Sequence, residues 1–309
     1  MASNILLVDQ ELLFKLEFLR LLSTRENATL GEIAGELGVD ESTVLDLYNK
    51  IRQNYMISIS REMITWHYGD NPARIKPWGW SYTYRILAGS TMVVAKHLNP
   101  WSIVVTEYQL RSYGRHGKQW ISNLGGLWTT FKIEVDPNTT YLLAMAIPVV
   151  IARFLREKHN LNVGIKWPND IVYKSKKLAG FLIEVEALLN RIIAYIGIGI
   201  NVNNEPPLET ATSLKNELGK LIPRNSLIGY IAGYISKIDE ITRSPGKIHA
   251  EYMDLLETLG RRVKAELISG GVVTGLARTI TESGELVVES ETGSFKLRSA
   301  EVLELRYID

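Results

Sequence analysis

Leu12, Leu13, Leu16, Leu19 and Leu22 recur at intervals that lay side chains along one face of an α-helix. Thr29 stands where a cap would start a second helix running to Leu37, and Gly38-Val39-Asp40 reads as the turn behind it. From about Glu41 the helical spacing resumes through Val44, Leu47, Tyr48, Ile51 and Tyr55. The period then drops to two, since Ile57-Ser58-Ile59-Ser60 and Ile64-Thr65-Trp66 alternate as short strands do. Residues 4–68 therefore predict a helix-turn-helix with a small β wing, assigned as a domain of residues 1–70. Asp70-Asn71-Pro72 and Lys76-Pro77 predict a linker, because prolines so close together interrupt helix and ladder alike.

Beyond that linker, strand and helix patterns alternate. Strands are expected at Tyr84–Leu87, Ile103–Glu107, Leu127–Ile133, Val163–Trp167, Ile171–Tyr173, Leu178–Val185 and Arg191–Val202. Helices are expected at Ser90–Leu98, Tyr141–His159, Ser226–Thr242 and Lys247–Leu259. This order predicts an α+β fold over residues 71–259, a mixed sheet with helices against one face. From Gly260 the period returns to two in Val263–Ile268, Val272–Ala277, Leu286–Glu289 and Ser294–Leu297, with Gly-containing turns between them. A small SH3-like barrel is expected over residues 260–309.

A chain of 309 residues has room for two or three domains, and 46% hydrophobic with 22% charged residues suits a sizeable globular core. The absence of cysteine excludes disulfides, thiolate zinc sites and a cysteine nucleophile, and agrees with a reducing compartment. The longest apolar run, Tyr141 to Ala152, is too short to span a bilayer and contains Pro148. The N-terminal residues lack the pattern of a signal peptide, so the expectation is a cytoplasmic protein with no membrane partner. A net charge of +1 gives no global attraction to nucleic acid. Within residues 1–70 acids outnumber bases, and Asp40, Glu41 and Asp46 crowd the start of the helix that would meet DNA. Charge thus argues against DNA as a partner, with a basic patch on the wing left open.

Two segments carry the chemistry. In Thr106–Gly126, Arg111, Arg115 and Lys118 are interleaved with Gly114 and Gly117, and Trp120 closes the run. Cations and glycines in that pattern suit an anion-binding loop, although a solvated basic loop has the same composition. The second segment is Lys166-Trp167-Pro168-Asn169-Asp170, followed by Lys177-Leu178-Ala179-Gly180 on a hairpin. With neither GxGxxG nor GxxxxGK[ST] present, no Rossmann site or P-loop is available to a nucleotide.

Together these segments resemble the biotin protein ligase family. Its glycine- and arginine-rich loop is represented by residues 112–120, and KWPND and KLAG stand intact at 166–170 and 177–180. Ser90-Thr91, Glu107-Tyr108-Gln109, Gly125-Gly126-Leu127-Trp128, Gly197–Asn203 and Leu297–Glu301 follow in the family's order. The resemblance implies a catalytic domain related to class II synthetases, an N-terminal winged helix like that of repressor-type members, and the SH3-like C-terminal unit. It also implies ATP, biotin and Mg²⁺ as ligands, a biotin carboxyl carrier domain as partner, and a homodimer.

Residue by residue, the resemblance assigns the catalytic cations to Arg115, Lys118 and Lys177, and the metal-facing carboxylate to Asp170. Ser90, Thr91 and Gln109 would contact the ureido ring, and Arg111, Ser112, Tyr113, Gly114, His116 and Gly117 would form the loop over the ligand. Trp120 would wall the pocket or stack near adenine, and Gly180 would border the valeryl tail. Lys166, Asn169, Gly199 and Asn201 fall in the nucleotide-binding elements, and Arg298 would reach the nucleotide from the C-terminal unit. His116 is also a candidate base for the transfer step. Ser112 and Tyr113 replace a family glycine and arginine, which predicts a loop that closes differently. A lipoate–protein ligase and a regulator that binds biotin or its adenylate without turnover are the alternatives.

Overall fold

The structure is a computed structural model that describes residues 9–188 and 191–308. Residues 4–8 of the predicted helix-turn-helix segment, with the rest of the first eight, lie outside the described residues, as does Asp309.

Helix α1 (Gln10–Thr24) starts on Asp9, whose carboxylate accepts the Leu12 N–H at 2.9 Å. Its core stripe includes Phe18 and Leu21, whereas Leu13 is exposed. Strand β1 (Asn27–Thr29) leads into α2 (Leu30–Leu37), where Thr29 and Glu32 form a reciprocal capping box and Gly38 closes the helix at φ 66°. Helix α3 (Glu41–Ile51) is capped by Asp40, which accepts the Thr43 N–H at 2.7 Å, and Asp46 pairs with Lys50 at 3.0 Å. Strands β2 (Ile57–Ser60) and β3 (Met63–Trp66) form an antiparallel hairpin, to which β1 adds in the order β1-β3-β2. β1 was not expected, because three residues are too few to display a period.

The predicted linker is instead a welded joint. Asp70 and Asn71 are buried, and Asp70 is ion-paired to Arg224 of the central domain at 2.7 Å. Prolines predict where regular structure stops, and they carry no information about burial.

The central sheet comprises β4 (Ser81–Ala88), β5 (Ser102–Gln109), β6 (Leu127–Val135), β7 (Gly164–Lys166), β8 (Asp170–Tyr173), β9 (Lys176–Leu188) and β10 (Arg191–Ile200). Their spatial order is β4-β5-β6-β10-β9-β8-β7, and only the β4–β5 pair is parallel. Short helix α4 (Thr91–Lys96) precedes β5, and the long helix α5 (Leu143–His159) follows β6. After β10 come α6 (Leu214–Leu218), α7 (Arg224–Ile235), α8 (Ile238–Ile241) and α9 (Pro245–Leu255). The predicted helix over 226–242 is thus broken into α7 and α8, and α6 was not expected.

Helices cover both faces of the sheet, which corrects the one-face expectation. Ile103 and Val105 point into the large core shared with α5, α7 and α9, whereas Val104 points the other way into a cluster with Met92 and Ala95 of α4. The alternation along β5 shows that both faces are apolar, and the pattern alone does not say which helix covers which.

The C-terminal strands are β11 (Arg262–Leu267), β12 (Val272–Ile280), β13 (Leu286–Ser290), β14 (Gly293–Leu297) and β15 (Val302–Tyr307), ordered β14-β13-β12-β11-β15. Among the described residues no ladder joins β14 to β15, so this is an open antiparallel sheet rather than a closed barrel. It packs on the central domain: Val263, Ala265, Val288 and Val302 belong to the same core as α5, and Trp167 Nε1 donates to the Gly284 carbonyl at 3.0 Å.

Candidate active site

Residues 112–120 fold into a tight hairpin that sets the geometry of the cleft. Tyr113 bridges to Gln119, the Gly114 N–H donates to the Lys118 carbonyl at 2.7 Å, and the Trp120 N–H donates to the Ser112 carbonyl at 3.1 Å. At the tip His116 (φ 55°) and Gly117 (φ 70°) are left-handed, whereas Gly114 is extended, so only one of the loop's two glycines supplies positive φ. The loop is therefore a defined turn rather than a glycine-loosened lid.

The hairpin delivers Trp120 onto a bare patch of the sheet. Gly180 of β9 pairs directly with Gly199 of β10, and a Cβ on either would come within 2.8 Å or 2.7 Å, respectively, of the Trp120 indole. Two adjacent glycines thus create the flat surface that accepts the ring. Trp128 meets Trp120 edge-on at 6.1 Å between centroids.

Below the indole lies a polar floor. Gln109 Oε1 accepts from the Thr91 N–H at 2.8 Å and its hydroxyl at 3.2 Å, and Gln109 Nε2 donates to Ser122 Oγ at 2.9 Å. Ser112 and Ser122 hydroxyls are 3.0 Å apart, and Ser112 also donates to the Trp120 carbonyl. Ser90 occupies the cap position of α4 without a side-chain cap bond, and the first amide of the helix, Thr91 N–H, donates to Gln109. Ser122 and Thr129 were missed by sequence reasoning, since an isolated hydroxyl residue has no spacing that marks it.

The far wall is cationic. Lys177 Nζ lies 2.8 Å from Asp170 Oδ1 and 4.9 Å over the Trp120 ring. Lys166 sits 4.9 Å over the Tyr307 ring, and burial lowers its pKa, with Asp170 opposing that loss of charge. Burial likewise lowers the Arg115 pKa against the pull of Asp170. Arg115 donates to Asn169 Oδ1 at 3.3 Å, to the Val302 carbonyl at 2.8 Å and to the Ser299 carbonyl, while Lys118 pairs with Glu304 at 3.6 Å. Asn169 Nδ2 in turn holds the Phe181 carbonyl at 2.7 Å.

These walls enclose a cleft of about 420 Å³ that Leu303, Glu304 and Leu305 of β15 close on one side. Trp120 Nε1, Thr129 Oγ1 and Asp170 Oδ1 are buried in its lining without a hydrogen-bond partner in the chain. Asp170 Oδ1 does face Lys177 as an ion pair, but not with hydrogen-bond geometry. Buried polar groups are normally satisfied, so Trp120 Nε1 and Thr129 Oγ1, two polar atoms without a partner in one cleft, indicate a ligand with hydrogen-bonding groups of its own. No cluster of three metal-ligating side chains exists among the described residues. One carboxylate fits a Mg²⁺ that keeps its waters and takes its other ligands from phosphates, and does not fit a metal held by protein alone.

The structure brings together in this cleft Ser90, Thr91, Gln109, Ser112, Tyr113, Gly114, Arg115, Lys118, Trp120, Lys166, Asn169, Asp170, Lys177, Gly180 and Gly199. Five expected residues lie elsewhere. Arg111 lines a separate hollow with Arg85 and His97 behind α4, because the chain turns at Leu110 and sends its side chain away from the hairpin. His116 and Gly117 form the hairpin tip, where His116 Nε2 lies 2.9 Å from the Val302 carbonyl. Asn201 is buried at the end of β10, accepting from Asn204 Nδ2 at 3.0 Å and bonding its backbone to Leu178 and Leu214. Arg298 has a side chain 69% exposed and pairs with Glu285 at 3.0 Å; β15 holds the position by the cleft instead.

Comparison with known proteins agrees with this geometry. Residues 89–203 match the biotin/lipoate A/B protein ligase family, and residues 258–308 match the biotin protein ligase C-terminal domain. The bifunctional ligase/repressor BirA of Bacillus subtilis (strain 168) is 30% identical over 217 residues, which is 65% of this chain and 65% of that protein. The match thus spans a little under two thirds of that relative's length. The biotin–[acetyl-CoA-carboxylase] ligase of Mycobacterium tuberculosis is 27% identical over 66% of this chain and 79% of its own. Among solved structures, a biotin protein ligase from Aquifex aeolicus in complex with biotin and ATP superposes with a TM-score of 0.61 and 26% identity, covering 74% of this chain and 99% of that one.

Proposed function

We propose that the chain is a biotin protein ligase, which activates biotin with ATP and transfers it to a lysine of a biotin carboxyl carrier domain. The observation that carries this reading is the convergence of Lys166, Lys177, Arg115 and Lys118 with the unpartnered Trp120 Nε1 and Thr129 Oγ1 in one cleft.

In the first half-reaction the biotin carboxylate attacks the α-phosphorus of ATP. A bond forms between a carboxylate oxygen and the α-phosphorus while the bond from that phosphorus to the α–β bridging oxygen breaks and pyrophosphate leaves, so charge rather than a protein nucleophile is what the enzyme must manage. Lys177, held between Asp170 and the Trp120 face, is placed to neutralise the meeting carboxylate and phosphate. Lys166 and Lys118 supply further positive charge, and Arg115 ties the hairpin to the C-terminal sheet over the site. Mg²⁺, when bound through Asp170 and phosphate oxygens, would offset the pyrophosphate charge. Thr91, Gln109 and Ser122 form the polar floor for the ureido group, with Trp120 as the apolar wall. In the second half-reaction the lysine amine attacks the acyl carbon, AMP leaves, and the amine releases a proton. The hairpin and β15 shield the labile mixed anhydride from water until then.

By the same reading residues 9–70 are a winged helix and residues 260–308 an SH3-like unit, in a cytoplasmic homodimer. Among the described residues the edge of β9 beyond Gly180 has no ladder partner on the β8 side, and Val185 and Leu188 are exposed there, which suits strand addition by a carrier or a second copy. Asp40 and Glu41 at the start of α3 oppose a repressor role.

The test is the intact mass of a biotin carrier domain incubated with this protein, biotin, ATP and Mg²⁺, beside an Asp170→Ala variant. A biotin-sized gain with the parent chain and none with the variant is expected. No gain across several carrier domains, with biotin still raising the melting temperature, would favour the non-turnover regulator.

A further inference from the structure

Away from the cleft, the densest buried charge lies where the N-terminal unit meets the central sheet. Asp70, Glu107 and Arg224 are each no more than 1% exposed. Arg224 donates Nε to Asp70 Oδ1 at 2.7 Å, Nη2 to the Asp70 carbonyl at 2.7 Å, and Nη1 to Glu107 Oε2 at 2.6 Å and the Gly126 carbonyl at 3.2 Å. Burial works against the Arg224 charge, but Asp70 and Glu107 outweigh it and raise its pKa. Burial raises the Asp70 pKa, with Arg224 opposing. Two carboxylates share one guanidinium, so one negative charge is left over. Neutral donors disperse that charge: the Tyr84 and Tyr55 hydroxyls reach Glu107 at 3.0 and 2.9 Å, and Met56 N–H and Trp66 Nε1 reach Asp70 at 2.9 and 3.2 Å.

One of these donors does more than satisfy a carboxylate. The Tyr55 hydroxyl donates to Glu107 Oε2 at 2.9 Å and accepts the Gly125 N–H at 2.9 Å. Glu107 lies two residues before Gln109 at the end of β5, and Gly125 lies three residues after Ser122. A single hydroxyl from the N-terminal unit therefore joins the two roots of the segment that carries the hairpin. Neighbours reinforce the second root: Asn54 Nδ2 donates to the Leu124 carbonyl at 3.2 Å, and the Leu124 side chain packs into the N-terminal core. Gly125 is required there, because at φ 96° its Cβ would come within 2.8 Å of Asn54 Cβ.

We infer that Tyr55 is a positioning residue for the cleft: it fixes the spacing between the Glu107 and Gly125 roots, so that Gln109 and Ser122 keep the hydrogen bond that forms the polar floor. The N-terminal unit thereby contributes to the ligand site from behind, without touching the ligand. The catalytic consequence rests on the ligase reading; the clamp itself does not.

The experiment compares Tyr55→Phe with Tyr84→Phe in the full chain. Tyr84 donates to the same carboxylate but touches only one root. Hydrogen exchange without ligand is expected to quicken in residues 107–126 for Tyr55→Phe and to stay unchanged there for Tyr84→Phe. Losing a hydrogen bond to a charged group is expected to raise the KM for biotin about tenfold in Tyr55→Phe, with kcat within about twofold. Equal effects of the two variants, unchanged exchange in 107–126, or faster exchange spread over the N-terminal unit with KM unmoved would overturn the inference. A parent chain without biotin turnover would sink the ligase reading, and the exchange comparison would still decide the clamp.

Discussion

Trp120 shows how one side chain depends on two residues that have none. The indole rests on Gly180 and Gly199 and is backed edge-on by Trp128, so it has little room to yield when a methyl group is added beneath it. Overpacking of this kind costs about 1–3 kcal/mol, and here it displaces a wall of the cleft rather than the core. Gly199→Ala is expected to weaken biotin binding by about tenfold with little change in melting temperature, measured by titration calorimetry and thermal unfolding; undiminished affinity would contradict the role given to the ring. Arg298→Ala is expected to leave kcat/KM within about twofold, because the parent side chain is solvated and paired with Glu285; a loss of tenfold or more would bring it back to the nucleotide. Lys166, Asp170 and Lys177 were legible in the sequence because each stands inside a contiguous motif. Ser122 and Thr129 were not, since nothing adjacent in the chain distinguishes them from surface hydroxyls. Arg298 and Asn201 stand in intact motifs yet lie outside the cleft, because the neighbours that decide orientation are remote.

At the scale of elements, the hairpin and β15 act as one unit. Arg115 reaches the Ser299 and Val302 carbonyls and His116 lies against Val302, so the C-terminal sheet holds the hairpin tip from the side opposite the sheet glycines. Arg115→Ala is expected to increase proteolytic nicking within 112–120 and to let biotinyl-adenylate escape faster, read as free adenylate hydrolysed per transfer. Unchanged nicking and leakage would show that the tie is dispensable. Long elements, the Thr29 cap and the Gly38-Val39-Asp40 turn were legible, because the residues that make a cap or a turn sit within four positions of one another. Three-residue β1, the break between α7 and α8, and the openness of the C-terminal sheet were not, since each is settled by pairing with distant strands or packing against another layer.

For the whole molecule, the N-terminal unit is part of the same folded body as the cleft. Arg224 meets Glu107 across 117 residues and Asp70 across 154, all three buried. Removing Asp70 from such a network leaves the Arg224 Nε, Met56 N–H and Trp66 Nε1 donors buried without an acceptor, at about 3–5 kcal/mol. Asp70→Ala is therefore expected to lower stability by about that amount in chemical denaturation of the full chain, with loss of a single cooperative transition an acceptable form of the same result. A change under about 0.5 kcal/mol would mean the joint is the flexible linker that its prolines suggested.

The sequence by itself determined what depends on neighbours along the chain: helix and strand periods, caps, turns, the absence of thiol chemistry, and the motifs that carry its resemblance to biotin protein ligases. Tertiary structure decided which helix covers each sheet face, that Trp120 lies on paired glycines, that β15 rather than Arg298 borders the cleft, and that Tyr55 joins its two roots. The division follows from the range of the forces involved. Backbone hydrogen bonding and amphipathic spacing act over a few residues and leave a periodic trace, whereas burial and the pairing of charges act between positions whose separation in the chain carries no signal.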